Sequence, residues 1–376
     1  MSAWRSTTLG RLEAESGGTI QTGPFGSQLH MDDYSRQGTP VVMPTNIREL
    51  RIDDTGIARV AQNHVDRLSR HQLRGGDIVY SRRGDVEKCA LVLEDQAGWL
   101  CGTGCLLVRV GGDHVDSRFL AYALSLPQTR AWIVQHAVGA TMPNLNTDIL
   151  REVPVELPPI DEQRPIAATL GALDDKIDSN RRVVETGWAL LAAEYQALQG
   201  RAPAIPLGDI LDLAYGKALP ADCREPGDVP VYGSNGVTGC HATALVEGPV
   251  VIVGRKGSVG EVHWSSTSCW PIDTTFYAQP RDGIPPLLAF FALKAAGLTR
   301  MNSDSAIPGL NRTAALAVRV PVPLAEGEAW SAARQSLLKA IDQRQSETHN
   351  LAALRDALLP ELLSGRIGAT INEVET

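Results

Sequence analysis

Two short stretches of this 376-residue chain carry its most useful hydrogen-bond donors, Val79-Tyr-Ser-Arg-Arg-Gly-Asp-Val and Ile252-Val-Gly-Arg-Lys-Gly-Ser-Val. In the first, Arg82 and Arg83 sit on a glycine turn with Lys88 just after it; in the second, Arg255, Lys256 and Ser258 do the same. A guanidinium fork suits phosphate oxygens and the edges of bases, and Gly84 and Gly257 would let the backbone come close or turn tightly. The same pattern also closes a hairpin with a solvated arginine, and both readings stand. Gln28, Thr45 and Asn46, and further on Lys217, Ser234 and Asn235, lie in polar loops that could face a groove. Turn chemistry alone explains each of them equally well.

Other chemistry leaves little trace. Gly216-Lys217 is followed by alanine, so no phosphate loop forms there, and no Gly-x-Gly-x-x-Gly opens a helix. An Asn-Pro-Pro-aromatic segment of the kind that holds a flipped adenine is missing. Cys89, Cys101, Cys105, Cys223, Cys240 and Cys269 lack metal or disulfide spacing, and His241 and His263 do not complete a ligand set. The sequence therefore predicts no catalytic residue, no bound cofactor and no metal, with the cysteines as structural thiols.

The two arginine stretches belong to a longer repeat. Trp99 matches Trp270, Thr103 matches Thr274, and Phe119-Leu-Ala-Tyr-Ala-Leu matches Leu288-Ala-Phe-Phe-Ala-Leu. Pro143-Asn-Leu-Asn matches Pro308-Gly-Leu-Asn, and Val153, Val155 and Pro158 match Val318, Val320 and Pro323. Gly23 pairs with Gly216 at a larger offset, so the first copy is longer, with the extra residues expected around 51–74. Asn146 and Asn311 hold the same place in both copies, which suggests framework, such as a helix cap, rather than discrimination.

Each copy runs into a long helical stripe. From Pro158 to Gly200 the seam positions are Ile166, Leu170, Leu173, Ile177, Asn180, Val184, Trp188, Leu191, Tyr195 and Leu198. Steps of three and four describe a coiled-coil face, in a rod of about 60 Å at about 1.5 Å per residue. Two steps of four around Val184, beside Gly187, predict a shift of the seam. The partner stripe is Trp330, Ala333, Leu337, Ile341, Thr348, Leu351, Leu354, Leu358 and Leu362, weakest through its polar middle at 343–350.

The expected fold class is α+β: two homologous mixed domains separated by two long antiparallel coiled-coil helices, with pseudo-two-fold symmetry. The boundaries read as 1–157 for the first domain, 158–200 for the central helix and 201–323 for the second domain. A C-terminal helix at 324–367 and a tail at 368–376 complete the chain. The net charge of -8 falls mostly on the rods, so a nucleic-acid face would have to be a local patch. No apolar run is long enough to span a membrane and the N-terminus lacks a signal-peptide core, which predicts a cytoplasmic location.

The chain resembles the specificity subunit of type I restriction-modification systems over nearly its whole length. The resemblance rests on Leu157-Pro-Pro-Ile-Asp-Glu-Gln at the start of the first rod, Leu173-Asp-Asp-Lys-Ile within it and the terminal Leu358-Leu-Pro-Glu-Leu-Leu-Ser-Gly-Arg-Ile, together with the repeated Arg-x-Gly strand. It departs from the family at Pro165, and at Val322-Pro-Leu-Ala-Glu-Gly, which lacks the Glu-Gln. The resemblance implies a non-catalytic chain that binds double-stranded DNA, each domain reading one half of a bipartite asymmetric site while the helices set the spacing. It further implies docking to two modification (methyltransferase) subunits that bind S-adenosylmethionine and methylate adenine, with ATP-dependent restriction subunits as further partners. Two other readings remain open at this point: a structural adaptor for protein partners, and a self-sufficient DNA methyltransferase or nuclease whose site has an unfamiliar form.

Overall fold

The computed structural model of the chain describes residues 4–139, 141–301 and 309–368. Pro308 of the repeat and the tail from 369 onward lie outside them. The chain divides into two compact units, Met1–Ile177 with His349–Thr376, and Asp178–Thr348.

The first unit is built on a four-stranded antiparallel sheet in the order Thr19–Thr22, Cys105–Arg109, Ile78–Ser81, Cys89–Leu91. Ile78–Ser81 is buried along its whole length, as expected for a strand with apolar residues on both faces. A second sheet pairs Thr39–Val42 in parallel with Leu100–Cys101, and Arg5–Thr8 runs antiparallel to Pro154–Leu157. Helix Ser117–Ser125 starts where the Asp116 carboxylate accepts the Phe119 N–H at 2.9 Å, and it sends Phe119, Leu120 and Leu124 into the core.

The second unit repeats this plan. Its main sheet has the order Leu211–Tyr215, Thr275–Pro280, Val250–Gly254, Val262–Ser265, all antiparallel. Val229–Gly233 pairs in parallel with Trp270–Pro271, Ala204–Pro206 runs antiparallel to Arg319–Pro321, and helix Pro286–Ala295 fills the core. Even the joining contacts recur: Leu9 N–H donates to Val153 O in one unit, Leu207 N–H to Val318 O in the other. The extra length of the first copy is residues 43–77, which hold the short hairpin of Ile47–Arg48 with Arg51–Ile52, a strand at Arg59–Val60 and a helix at Gln62–Arg67. The corresponding segment, 234–249, holds only Gly236–His241.

The long helix runs from Ile160 to Gln199 and stays continuous through Pro165. Its start is fixed by Gln163, which is fully buried: Oε1 accepts the Asp116 N–H, and Nε2 donates to His114 O and Pro158 O. The Glu-Gln of the motif is thus a brace between helix and domain. Ile166 and Leu170 enter the first core together with Leu362 and Leu363; Leu191 and Tyr195 enter the second with Trp330, Leu338 and Ile341. Ile177 is buried, whereas Leu173, Val184, Trp188, Leu337, Leu351 and Leu358 are half-buried.

Two expectations about the second stripe need correction. The stretch is two helices, Leu324–Ala333 and Gln335–Leu363, interrupted at Arg334, whose guanidinium forks onto Glu194 with Nε at 2.6 Å and Nη2 at 2.7 Å. Leu354 does not pack on the seam: it is 48% exposed. Arg355 takes the inner position instead, between half-buried Leu351 and Leu358, and pairs with Asp174. At Gly187 an added Cβ would stand 2.9 Å from Cδ1 and Cγ1 of Ile341, so the glycine on the irregular part of the seam lets the two helices of the second unit close up. Asn180, also buried, donates to Glu347 at 3.0 Å in the polar middle of the stripe.

Candidate nucleic-acid interface

Arg82 and Arg255 occupy the same backbone setting in their respective units. Arg82 N–H donates to Gly104 O and its carbonyl accepts from Leu145 N–H; Arg255 N–H donates to Thr274 O and its carbonyl accepts from Leu310 N–H. Two residues on, Gly84 and Gly257 have φ of 74° and 79°, where a side chain would be strained, and each carbonyl accepts from the valine two residues later. Both arginines therefore project from a turn pinned on two sides. Just beyond, Asn146 and Asn311 cap the next helices, accepting from Ile149 N–H at 2.8 Å and Ala314 N–H at 2.9 Å, the framework role their equivalence suggested.

Around this common frame the side chains differ. Arg82 is half-buried, with Nε enclosed and lacking a hydrogen-bond partner among the described residues, while Arg83 is exposed. Lys88 pairs with Asp85 across the turn. The Pro44–Asn46 turn lies beside this frame, because Pro44 packs near Gly104, whose carbonyl holds Arg82. Thr45 is exposed there. Asn46 is not: it is 8% exposed, its Oδ1 accepts the Met43 N–H and its Nδ2 donates to Asp53 O. Its amide is consumed in forming the turn, so Asn46 is framework and not a groove-facing group. Gln28 also acts inward, since Oε1 accepts the Phe25 N–H at 3.0 Å and braces a loop that leaves Phe25 56% exposed.

In the second unit the candidates come together more closely. Ser258 Oγ donates to Asn235 Oδ1 at 3.5 Å, and Ser234 meets the same turn, its carbonyl 3.1 Å from His263 Nε2. Lys217 reaches over the Trp270 ring at 5.9 Å and its N–H bonds Pro271 O. Arg255 lies over Tyr215 and Phe276 and donates through Nη1 to Asp273 O at 3.1 Å. Lys256 is exposed. The segment 270–274 thus joins Lys217 to Arg255. Sequence reasoning missed Tyr215 and Phe25, whose signal was an aromatic residue directly beside the glycine of a polar loop, and it noted Trp270 only as a match within the repeat.

The buried thiols offer no reactive group, because burial pushes Cys89 and Cys101 up to about 12 and Cys269 to about 11, so they stay protonated. Among the described residues no group of histidine, cysteine or acidic side chains has the arrangement of a metal site. No helix among them is long and apolar enough to cross a membrane.

Two pinned, cationic turns on like-built sheets, with different side chains around each, form a pair of sites suited to reading two different polyanionic surfaces. Known proteins share parts of this arrangement. Residues 33–185 match the family model of the type I restriction modification DNA specificity domain. A putative type I restriction enzyme specificity subunit, MjaX, from Methanocaldococcus jannaschii is 25% identical over 154 residues, which is 39% of this chain and 36% of that protein. The alignment therefore spans little more than a third of the relative's length. The crystal structure of the type I restriction-modification S subunit from M. genitalium shares the fold, with a TM-score of 0.62 at 22% identity and 96% of each chain covered. The HsdS subunit from Thermoanaerobacter tengcongensis aligns over 98% of both chains at 17% identity with a TM-score of 0.39. Residues 33–185 are thus similar to the type I restriction modification DNA specificity domain, and the chain as a whole shares the fold of the M. genitalium S subunit.

Proposed function

We propose that this chain is the DNA-recognition subunit of a type I restriction-modification complex, each globular region reading one half of a bipartite asymmetric site. The observation that carries the reading is the equivalence of Arg82 and Arg255: one backbone frame, used twice, with side chains that differ around it. Shared framework with unlike decoration is what reading two unlike half-sites requires, since positioning contacts repeat and base contacts do not.

In this reading the long helices set the distance between half-sites and dock two methyltransferase subunits, which hold S-adenosylmethionine and methylate adenine; ATP-dependent restriction subunits join the assembly. The chain itself does no chemistry, and it works in the cytoplasm, where chromosomal DNA is found. A net charge of -8 favours weak binding by the chain alone and tight binding once partners close around the duplex.

The test is methylation-sensitive sequencing of DNA from a methylation-free host that expresses the chain with its neighbouring methyltransferase. N6-methyladenine at one bipartite motif, lost when the chain is omitted, supports the reading. No motif, with the methyltransferase folded and bound to the chain, rejects it in favour of an adaptor.

A further inference from the structure

We propose that Tyr215 is a positioning residue for base reading by the second domain, its ring fixing the direction in which Arg255 presents its donors. The inference rests on the reading above, in which Arg255 contacts base edges.

The Arg255 guanidinium carbon lies 5.0 Å from the centroid of the Tyr215 ring and 5.8 Å from that of Phe276. The two rings meet edge to face at 4.9 Å, and the residues are paired in register across neighbouring strands, so the sheet itself sets where the rings stand. Nη1 is tied to Asp273 O at 3.1 Å, and the backbone is pinned at Thr274 and Leu310. A guanidinium held over aromatic faces with one donor spent on a fixed carbonyl has few orientations left, and a bidentate contact to guanine needs one.

Tyr215 is 56% exposed, so core packing does not account for a tyrosine at this strand end. Nor does the common frame require it. The equivalent register pair in the first unit is Thr22 opposite Leu106, which puts no ring at those positions below Arg82. Among the described residues the aromatic support belongs to one domain alone, as expected of a device for reading one half-site.

The experiment uses the chain assembled with its methyltransferase subunits, scoring methylation of a library in which every base of both half-sites is replaced singly. Arg255→Lys identifies the base position that depends on the fork. Tyr215→Leu is expected to lower discrimination at that same position by about tenfold, with the other half-site read as before, while Tyr215→Phe keeps wild-type selectivity. Combining Tyr215→Leu with Arg255→Lys should add nothing at that position. The other half-site is the internal control for folding and assembly. The inference is overturned if Tyr215→Leu leaves that position unchanged, if Tyr215→Phe fails in the same way, or if selectivity falls equally in both half-sites. A wild-type complex that methylates no bipartite motif overturns the reading and the inference together.

Discussion

Asp174 Oδ1 lies 2.8 Å from Arg355 Nη1, and the Tyr122 hydroxyl donates to the other carboxylate oxygen at 2.5 Å. Asp174 is 7% exposed and joins three helical elements of the first unit. A buried pair of this kind contributes little net stability against an apolar substitute, yet breaking it from one side is costly. Asp174→Ala should therefore cost up to about 3 kcal/mol, because it takes the enclosed carboxylate from Arg355 and Arg51 and leaves Arg355 paired only with the exposed Asp356. The double replacement Asp174→Leu with Arg355→Leu should recover most of that. Urea unfolding of the three variants checks it, and equal losses in the single and double variants would show that packing, not charge, governs the site.

Gly187 sets two effects against each other. In a helix interior, alanine is favoured over glycine by about 1 kcal/mol. A Cβ there, however, would meet the fully buried Ile341 at 2.9 Å, and overpacking typically costs about 1–3 kcal/mol. Packing should win, so Gly187→Ala is expected to destabilise the protein by about 1 kcal/mol. Adding Ile341→Val, which removes Cδ1 and leaves Cγ1, should relieve part of the cost of Gly187→Ala. Denaturation midpoints of the two singles and the double give the coupling directly.

Glu194 makes stability depend on pH in a definite direction. The Arg334 fork, joined by the Trp330 indole N–H at 3.0 Å, holds its carboxyl below the ordinary value of 4.5. A group whose pKa is depressed by folding contributes stability above its unfolded value and loses it as pH falls through the folded value. The wild type should hold a constant advantage over Glu194→Gln from neutral pH down to about 5, then lose it below about 4.5. Thermal unfolding across that range measures it, and parallel curves for the two proteins would mean the ion pair does not stabilise the fold.

The repeat, the alternation of sheet domain and long helix, and the buried ends of the stripes could all be read from the sequence, because apolar spacing and collinear matches survive translation into structure directly. What could not be read is which polar residue a backbone consumes. Leu354 and Arg355 are adjacent, and only the position of Asp174 decides that the arginine faces inward. Asn46 and Thr45 are equally polar neighbours, but the amide can bond the main chain at both ends of its turn, and it does. Tyr215 escaped notice for the converse reason: an aromatic at a strand end reads as core until its exposure is known.

Asn46 and Arg82 therefore separate stability from specificity within one small region. Asn46→Ala removes two hydrogen bonds from a buried turn, one to the Met43 N–H and one to Asp53 O, and should cost about 1–2 kcal/mol of stability. It should leave the methylated motif unchanged, because no part of its amide is presented outward. Arg82→Ala should do the reverse. Its side chain is half-buried and Nε has no partner among the described residues, so little native bonding is lost. Within the proposed reading, a lost fork to a base is worth about 1–3 kcal/mol of discrimination at one position of the first half-site. Unfolding curves and motif sequencing on the same two variants decide it. A changed motif with Asn46→Ala would return that residue to the groove, and an unchanged one with Arg82→Ala would leave its turn as framework.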